Sequence, residues 1–418
     1  MSDSPRRGFL HILQEFSIPL LSGVVVAMLA ANLYPEWYEH AVHWKPFGDA
    51  ALFGHELTLH FIVNDIFMVF FFGIAAKEIT ESVLPGGALN PPAKAMNPLM
   101  ATIGGVAGPV AVFFAGLALM VHLGMFGANP DLPALQRGWG VPTATDIALA
   151  WLVARTVFGA GHPAVNFLLL LAVVDDAIGL VIIAVFYGDP VHPARPEWLA
   201  LVLAGMAVAY ALRRARVNKW LPYIALAGPL AWSGMILAHV HPALALVVIV
   251  PFLPPPQRDM GFFLDKDEVD QMGDELAKDL HVEHSALHMF EHQMKTFVDF
   301  GLFFFAFTQA GVVLADIGPM TWLILGSLVI GKTVGITGFS LLGKALGFPL
   351  PDRMGVREVM MAAYVAALGL TVALFVASAA FQDPQLLGQG KMGALFSAFV
   401  GLSAVLIGRM LGMGKPPE

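Results

Sequence analysis

Five ionisable residues, Asp65, Asp146, Asp175, Asp176 and Lys332, stand well inside long apolar runs of the sequence. A charge held at the middle of a bilayer costs about 2.5–3.5 kcal/mol or more, so such residues are kept for chemistry or for pairing. Asp175 and Asp176 lie in LLLLAVVDDAIGLVIIAVFY, and an aspartate is too short to reach water by stretching along the chain. Each must face a hydrated cavity or a partner. Lys332, in LVIGKTVGI, is the only basic residue deep in an apolar run and is the natural counter-charge. One lysine cannot neutralise several carboxylates, so at least one of them is protonated or holds a cation. Burial strengthens a carboxylate's hold on its proton. Na⁺ and Li⁺, being hard ions, prefer the oxygens of Asp, Thr and backbone carbonyls. Competition for one site then couples the two ions, since the cation loads only when protons leave. Neighbouring helical residues point about 100° apart. One of the adjacent carboxylates can therefore face an ion while the other turns toward another helix. A plain buried Asp–Lys salt bridge between helices is the structural alternative.

These side chains need elements to position them. Val141-Pro142-Thr143-Ala144-Thr145-Asp146 sets a proline, two threonines and an aspartate in the middle of an expected span, which predicts an interrupted helix. A second break is expected at Gly369-Leu370-Thr371. Irregular backbone at membrane depth is tolerated only where it lines a cavity or is packed in protein. Interrupted helices at corresponding positions of two halves point to a transport site. Residues 96–187 (repeat A) and 318–412 (repeat B) could be such halves, each with the break in its middle span, although their sequences show no obvious identity. Positive half-helix ends would lie near Asp146 and negative ends near Lys332. The alternative is that Thr145 and Thr371 only bond carbonyls at kinks.

The whole chain fits this setting. Its 418 residues are 57% hydrophobic and 13% charged, without a cysteine, against about 25% charged in soluble domains. Mean hydropathy is +0.72. Collagen-like, disordered and disulfide-rich classes are excluded, and the few scattered basic residues argue against a nucleic-acid partner. Windows of about 19 residues place twelve spans near 15–34, 58–82, 96–122, 142–157, 162–187, 197–213, 219–236, 240–254, 294–314, 318–343, 356–381 and 391–412. The predicted fold is thus an all-α integral membrane protein, a single transmembrane domain over 1–418. The first stretch reads as a retained helix, because Asn32-Leu33-Tyr34-Pro35 is a poor cleavage site. With the N-terminus inside, Arg6, Arg7, Arg213, Arg214, Arg216, Lys344 and Arg353 share the inner side, and only Lys45, Arg137, Arg195 and Lys391 fall outside. Both termini are therefore expected in the cytoplasm. Residues 35–57 suit an external interfacial hairpin better than a helix, and the polar stretch 255–293 reads as a solvated cytoplasmic loop with room for a short helix.

In this order, NDIFMVFFF, PTATDIALA, VVDDAIGLVIIAVFY, FFFAFTQAGV, IGKTVGI and LGLTVALFVASAAF resemble the NhaA family of bacterial sodium/proton antiporters over nearly the whole chain. The resemblance implies twelve spans with inverted three-helix repeats and crossed interrupted helices four and eleven. It also implies a homodimer joined through an external β-hairpin, here within 35–57, in the bacterial inner membrane. It makes Asp176 the main carboxylate for Na⁺, Li⁺ and protons, with Asp175 pairing with Lys332. Asp146, with Thr145, would offset the half-helix ends at the crossing, and Asp65 would line an access route. One cation would leave as two protons enter, which makes exchange electrogenic, and no cofactor is implied. Glu78, followed here by Ile79, Thr80 and Glu81, departs from the family's Glu followed by Lys-Arg. Glu291-His292 matches a pair associated with pH response, to which His281, His284 and His288 could add charge change near neutrality. The loop at 255–293 is longer and more acidic than the resemblance leads one to expect.

Other readings are weaker. His288–His292 spells H-x-x-E-H, a zinc-protease pattern, but no third ligand or substrate cleft is evident. Paired Asp residues on one helix do not fit an intramembrane aspartyl protease. A passive cation channel, or a proton-coupled carrier of a different cation, remains the rival; the internal Asp–Lys pair argues against a channel.

Overall fold

The computed structural model describes residues 17–413 apart from 86, 88, 90–91, 160, 189–193, 256–284 and 352. Apolar runs become helices here because hydrocarbon offers no partner for backbone N–H and C=O groups. In chain order they are α1 (Ile18–Leu33), α2 (Pro35–Val42), α3 (Leu59–Val83), α4 (Pro92–His122), α5 (Leu132–Thr143), α6 (Ile147–Phe158) and α7 (Pro163–Phe186). There follow α8 (Pro196–Arg214), α9 (Trp220–Leu237), α10 (Ala286–Gln309), α11 (Pro319–Ala345), α12 (Val356–Val365), α13 (Leu370–Ala380) and α14 (Pro384–Met410). Among the described residues, 7 helices are long and apolar enough to cross a membrane, or up to 9 if the bent pairs α5/α6 and α12/α13 each count as one span. The bends are 47° and 51°. The chain is a multi-span membrane protein.

Three segments differ from the sequence expectation. Residues 240–254 are not an α-helical span; they fold as short 3₁₀ turns at Pro242–Leu244 and Val250–Phe252. Pro242, Pro251 and Pro254 lack the N–H a continuous helix needs. Within 35–57 the first part is helical, because Pro35 opens α2 and Glu36 sits in its first turn. Strand pairing is confined to β1 (Ala51–Leu52) and β2 (His55–Glu56), antiparallel with Ala51 opposite Glu56. Phe53 and Gly54 turn the hairpin with φ of 51° and 86°, the two left-handed positions of a tight β-turn. The Glu56 carboxylate, 2.7 Å from Lys45 Nζ, holds that ammonium above the usual lysine value. Finally, α10 begins at Ala286, so Glu291 and His292 sit on a helix and not in a loop. His281, His284 and the acidic run before them lie outside the described residues.

The chain forms two compact units, 1–64 with 97–183 and 299–418, and 65–96 with 184–298. In the first, α4 and α11 run antiparallel with their backbones almost touching. A Cβ on Gly104 would run into the Gly335 carbonyl, and one on Gly108 into that of Gly331. Small residues permit this approach, which is how membrane helices gain packing without a hydrophobic driving force. Helix α13 is buried from Leu370 to Ala377. In the second unit α8 lies against α9, where a Cβ on Gly234 would come 2.8 Å from the Val202 nitrogen.

Candidate functional site

Within the first unit the two helix breaks meet. Chain 144–146 is irregular between α5 and α6, and chain 366–369 between α12 and α13. The Asp146 N–H donates to the Leu368 carbonyl at 2.6 Å. Asp146 is also the N-cap of α6: its Oδ1 accepts from Leu149 N at 3.1 Å. Its Oδ2 accepts from Thr371 N at 3.2 Å and Thr371 Oγ1 at 2.8 Å. One buried carboxylate thus meets the exposed N–H groups of two half-helices, where the peptide dipoles favour negative charge. The second break falls a few residues earlier than expected. Gly369 is the N-cap of α13 and Thr371 already lies in its first turn. Gly369 is needed for the close approach, since a Cβ there would come 3.0 Å from the Ala144 carbonyl.

On the other side of the crossing is the one buried cation of this cluster. Lys332 Nζ lies 2.6 Å from Asp175 Oδ2 and 2.6 Å from Thr145 Oγ1. The Thr145 hydroxyl in turn faces Asp175 Oδ2 at 2.8 Å and the Ala366 carbonyl at 3.0 Å. Lys332, Thr145 and Asp175 are 0%, 0% and 2% exposed. The ammonium therefore sits at the carbonyl end of α12 and the Asp146 carboxylate at the N–H end of α13. Asp176 follows Asp175 on α7, half-buried and turned about 100° from it. The helix carrying both starts with a side-chain cap, because His162 Nδ1 accepts from Ala164 N at 3.1 Å. The His162 ring stacks on Phe158 at 5.3 Å, and burial pushes the imidazole below its usual range.

In the second unit, Asp65 stands in a π-turn at Ile62–Phe67, a helix defect frequent at functional positions. Its backbone carbonyl accepts from Trp232 Nε1 at 2.7 Å, and its carboxylate lies 3.9 Å from His241 Nδ1. The pair Glu291-His292 is found beside Lys77. The Lys77 ammonium bridges Glu291 and Glu81, the latter at 2.6 Å. Glu78 is half-buried one residue along. His292 stacks its ring on His288 at 6.5 Å. Sequence reasoning named Glu291 but not its partner. The signal was available in Lys77-Glu78 and Glu81, a charged triplet closing an otherwise apolar helix.

The chain is similar to known proteins over nearly its whole length. Residues 7–411 match the family model described as Na⁺/H⁺ antiporter 1. A Na(+)/H(+) antiporter NhaA of Desulfitobacterium hafniense (strain DSM 10664 / DCB-2) is 54% identical over 413 residues, covering 99% of this chain and 98% of the relative. One from Geobacter metallireducens is 53% identical over 408 residues, with 98% and 99% covered. One from Jannaschia sp. is 39% identical over 437 residues, with 97% and 98% covered. Among solved structures, the sodium proton antiporter MjNhaP1 from Methanocaldococcus jannaschii aligns over 97% of this chain and 98% of its own, at 14% identity and a TM-score of 0.43.

Proposed function

We propose an ion-exchange mechanism for this chain, which belongs to the Na⁺/H⁺ antiporter 1 family. The observation that carries it is the charge balance of the crossing. Three carboxylates, Asp146, Asp175 and Asp176, stand in one unit where, among the described residues, one lysine is buried, and that lysine is bonded to Asp175. Asp176 is then the carboxylate that exchanges protons for Na⁺ or Li⁺. Asp175 with Lys332 holds the neighbouring charge in place, and Asp146 with Thr145 and Thr371 fixes the half-helix ends. Loading the cation requires Asp176 to give up its proton, so the two ions cross in opposite directions. An exchange of two protons per cation moves net charge and responds to membrane voltage.

The layout supports inverted repeats at 96–187 and 318–412. Each contains a long helix, a bent pair and another long helix, and the leading helices α4 and α11 lie antiparallel. With the segment 240–254 counted as a non-α span, the chain supplies twelve spans, both termini facing the cytoplasm of a bacterial inner membrane. The hairpin β1–β2 is the proposed external dimer contact. The Lys77–Glu81–Glu291 cluster, with Glu78 and His292 beside it, is the proposed seat of pH control.

Reconstitution into liposomes with an imposed Na⁺ gradient and a pH dye inside tests this. Sodium-dependent proton movement is expected in the wild type and absent in Asp176→Asn. Sodium flux without proton counterflow would instead make the protein a passive channel.

A further inference from the structure

Helix α11 carries three hydroxyls that bond nothing. The side-chain oxygens of Thr333, Thr337 and Ser340 are all buried and without a hydrogen-bond partner. This is unusual within the molecule itself. Thr80, Thr102, Thr308, Ser327 and Ser378 each donate to the carbonyl four residues back, which is the common habit of helical Ser and Thr in apolar surroundings. Ser327 does so on α11 itself. With 3.6 residues per turn, positions 333, 337 and 340 fall within a stripe about 60° wide, stepped about 6 Å and 4.5 Å along the axis. Those steps are too long for direct hydrogen bonds and fit one intervening water each.

Two further orphans lie beside the stripe. Near its middle is Asp175: its Oδ2 is bonded to Lys332 and Thr145, while its buried Oδ1 has no partner. That oxygen lies at the level of Ile336, since a Cβ on Gly105 would come 3.4 Å from it and 3.2 Å from Ile336 Cγ1. At the Ser340 end Asn97 donates to the Ser340 and Phe348 carbonyls at 3.0 Å each, leaving its own buried Oδ1 unbonded. One turn further, Lys344 is exposed. Buried polar atoms that bond no protein group are where internal water is held, provided several converge.

We infer that these oxygens hold a file of water molecules, and that the file is a proton route between Asp175 and the Lys344 end of α11 that does not pass Asp176. It rests on the exchange reading above. A proton held on Asp175 Oδ1, where it leaves the carboxylate neutral while Lys332 keeps its bond to Thr145, passes along the waters and is released beside Asn97. The sodium site at Asp176 and the proton exit are then separate openings onto adjacent residues.

The full-length protein in liposomes gives two readouts. Thr337→Val and Ser340→Ala keep side-chain volume nearly constant and remove the hydroxyls. The double variant is expected to slow sodium-driven proton movement by about a hundredfold, the low end of what a positioned proton carrier contributes. Exchange of labelled for unlabelled Na⁺, which needs no net proton transfer, is expected to stay at the wild-type rate. Unchanged proton movement, or equal loss in both assays, overturns the proposal. If the wild type itself moved no protons, the exchange reading would fail, and a density map showing ordered water would decide the file separately. Water bonded to Thr337 Oγ1 and Ser340 Oγ is expected there; hydroxyls turned onto the Thr333 and Ile336 carbonyls in a dry stripe would refute it.

Discussion

At the scale of single residues the crossing is a set of mutual obligations. Lys332 is fully buried and its ammonium is held by Asp175 and Thr145. Removing one member of a buried ion pair costs about 3–5 kcal/mol, because the other charge is left without compensation. Lys332→Met is therefore expected to lower the melting temperature in detergent sharply, and Asp175→Asn with Lys332→Met to recover most of the loss. A single Lys332→Met variant as stable as the wild type would show that the pair does not hold the fold. Thr371→Val tests the other half of the site. It removes the Oγ1 donor to Asp146 Oδ2 but leaves the Thr371 backbone N–H in place, so the expected cost is about 1 kcal/mol. Proton–sodium exchange should persist with a modest stability loss, and its abolition would assign Thr371 a part in ion handling beyond the helix end.

At the scale of elements, the cap on α7 makes a pH prediction. His162 accepts the Ala164 N–H only while Nδ1 is unprotonated, and burial favours that neutral form. A group whose proton affinity falls on folding stabilises the fold above its ordinary value and ceases to do so as pH drops through the lowered one. The melting gap between wild type and His162→Ala, about 1 kcal/mol for a cap, is expected to be widest at pH 8 and to narrow below the ordinary 6.5. A gap constant down to pH 5 would mean the imidazole does not act through Nδ1. The same scale shows what the sequence could reveal. Charge in apolar runs marked Asp146, Asp175 and Lys332, and Pro142 with Thr145 marked the first break, because those residue types carry their cost locally. The second break was displaced because its cause is not local: chain 366–369 stays irregular where the Ala366 and Leu368 carbonyls bond Thr145 and Asp146 of the first break. Residues 240–254 misled in the opposite way, since hydropathy averages ignore the missing N–H of Pro242 and Pro251. No periodicity could have paired Lys77 with Glu291, which stand far apart along the chain and meet only through the packing of α3 on α10.

At the scale of the whole molecule, the antiparallel packing of α4 on α11 ties topology to mechanism. Asn97, near the start of α4, bonds the Ser340 carbonyl near the end of α11, and Gly116, further along α4, faces Leu323 near the start of α11. Each of the two helices therefore ends on the side where the other begins. The basic-residue bias predicts the sidedness: Lys344, at the end of α11, is expected inside, and Asp49, in the exposed chain before the hairpin, outside. The chain contains no cysteine, so each introduced thiol is the sole target of a maleimide that cannot cross the membrane. In intact spheroplasts Asp49→Cys is expected to be labelled at once and Lys344→Cys only after permeabilisation. Labelling of Lys344→Cys from outside would invert the chain. The water file along α11 would then open on the outer face and would be the route by which protons enter, not the one by which they leave.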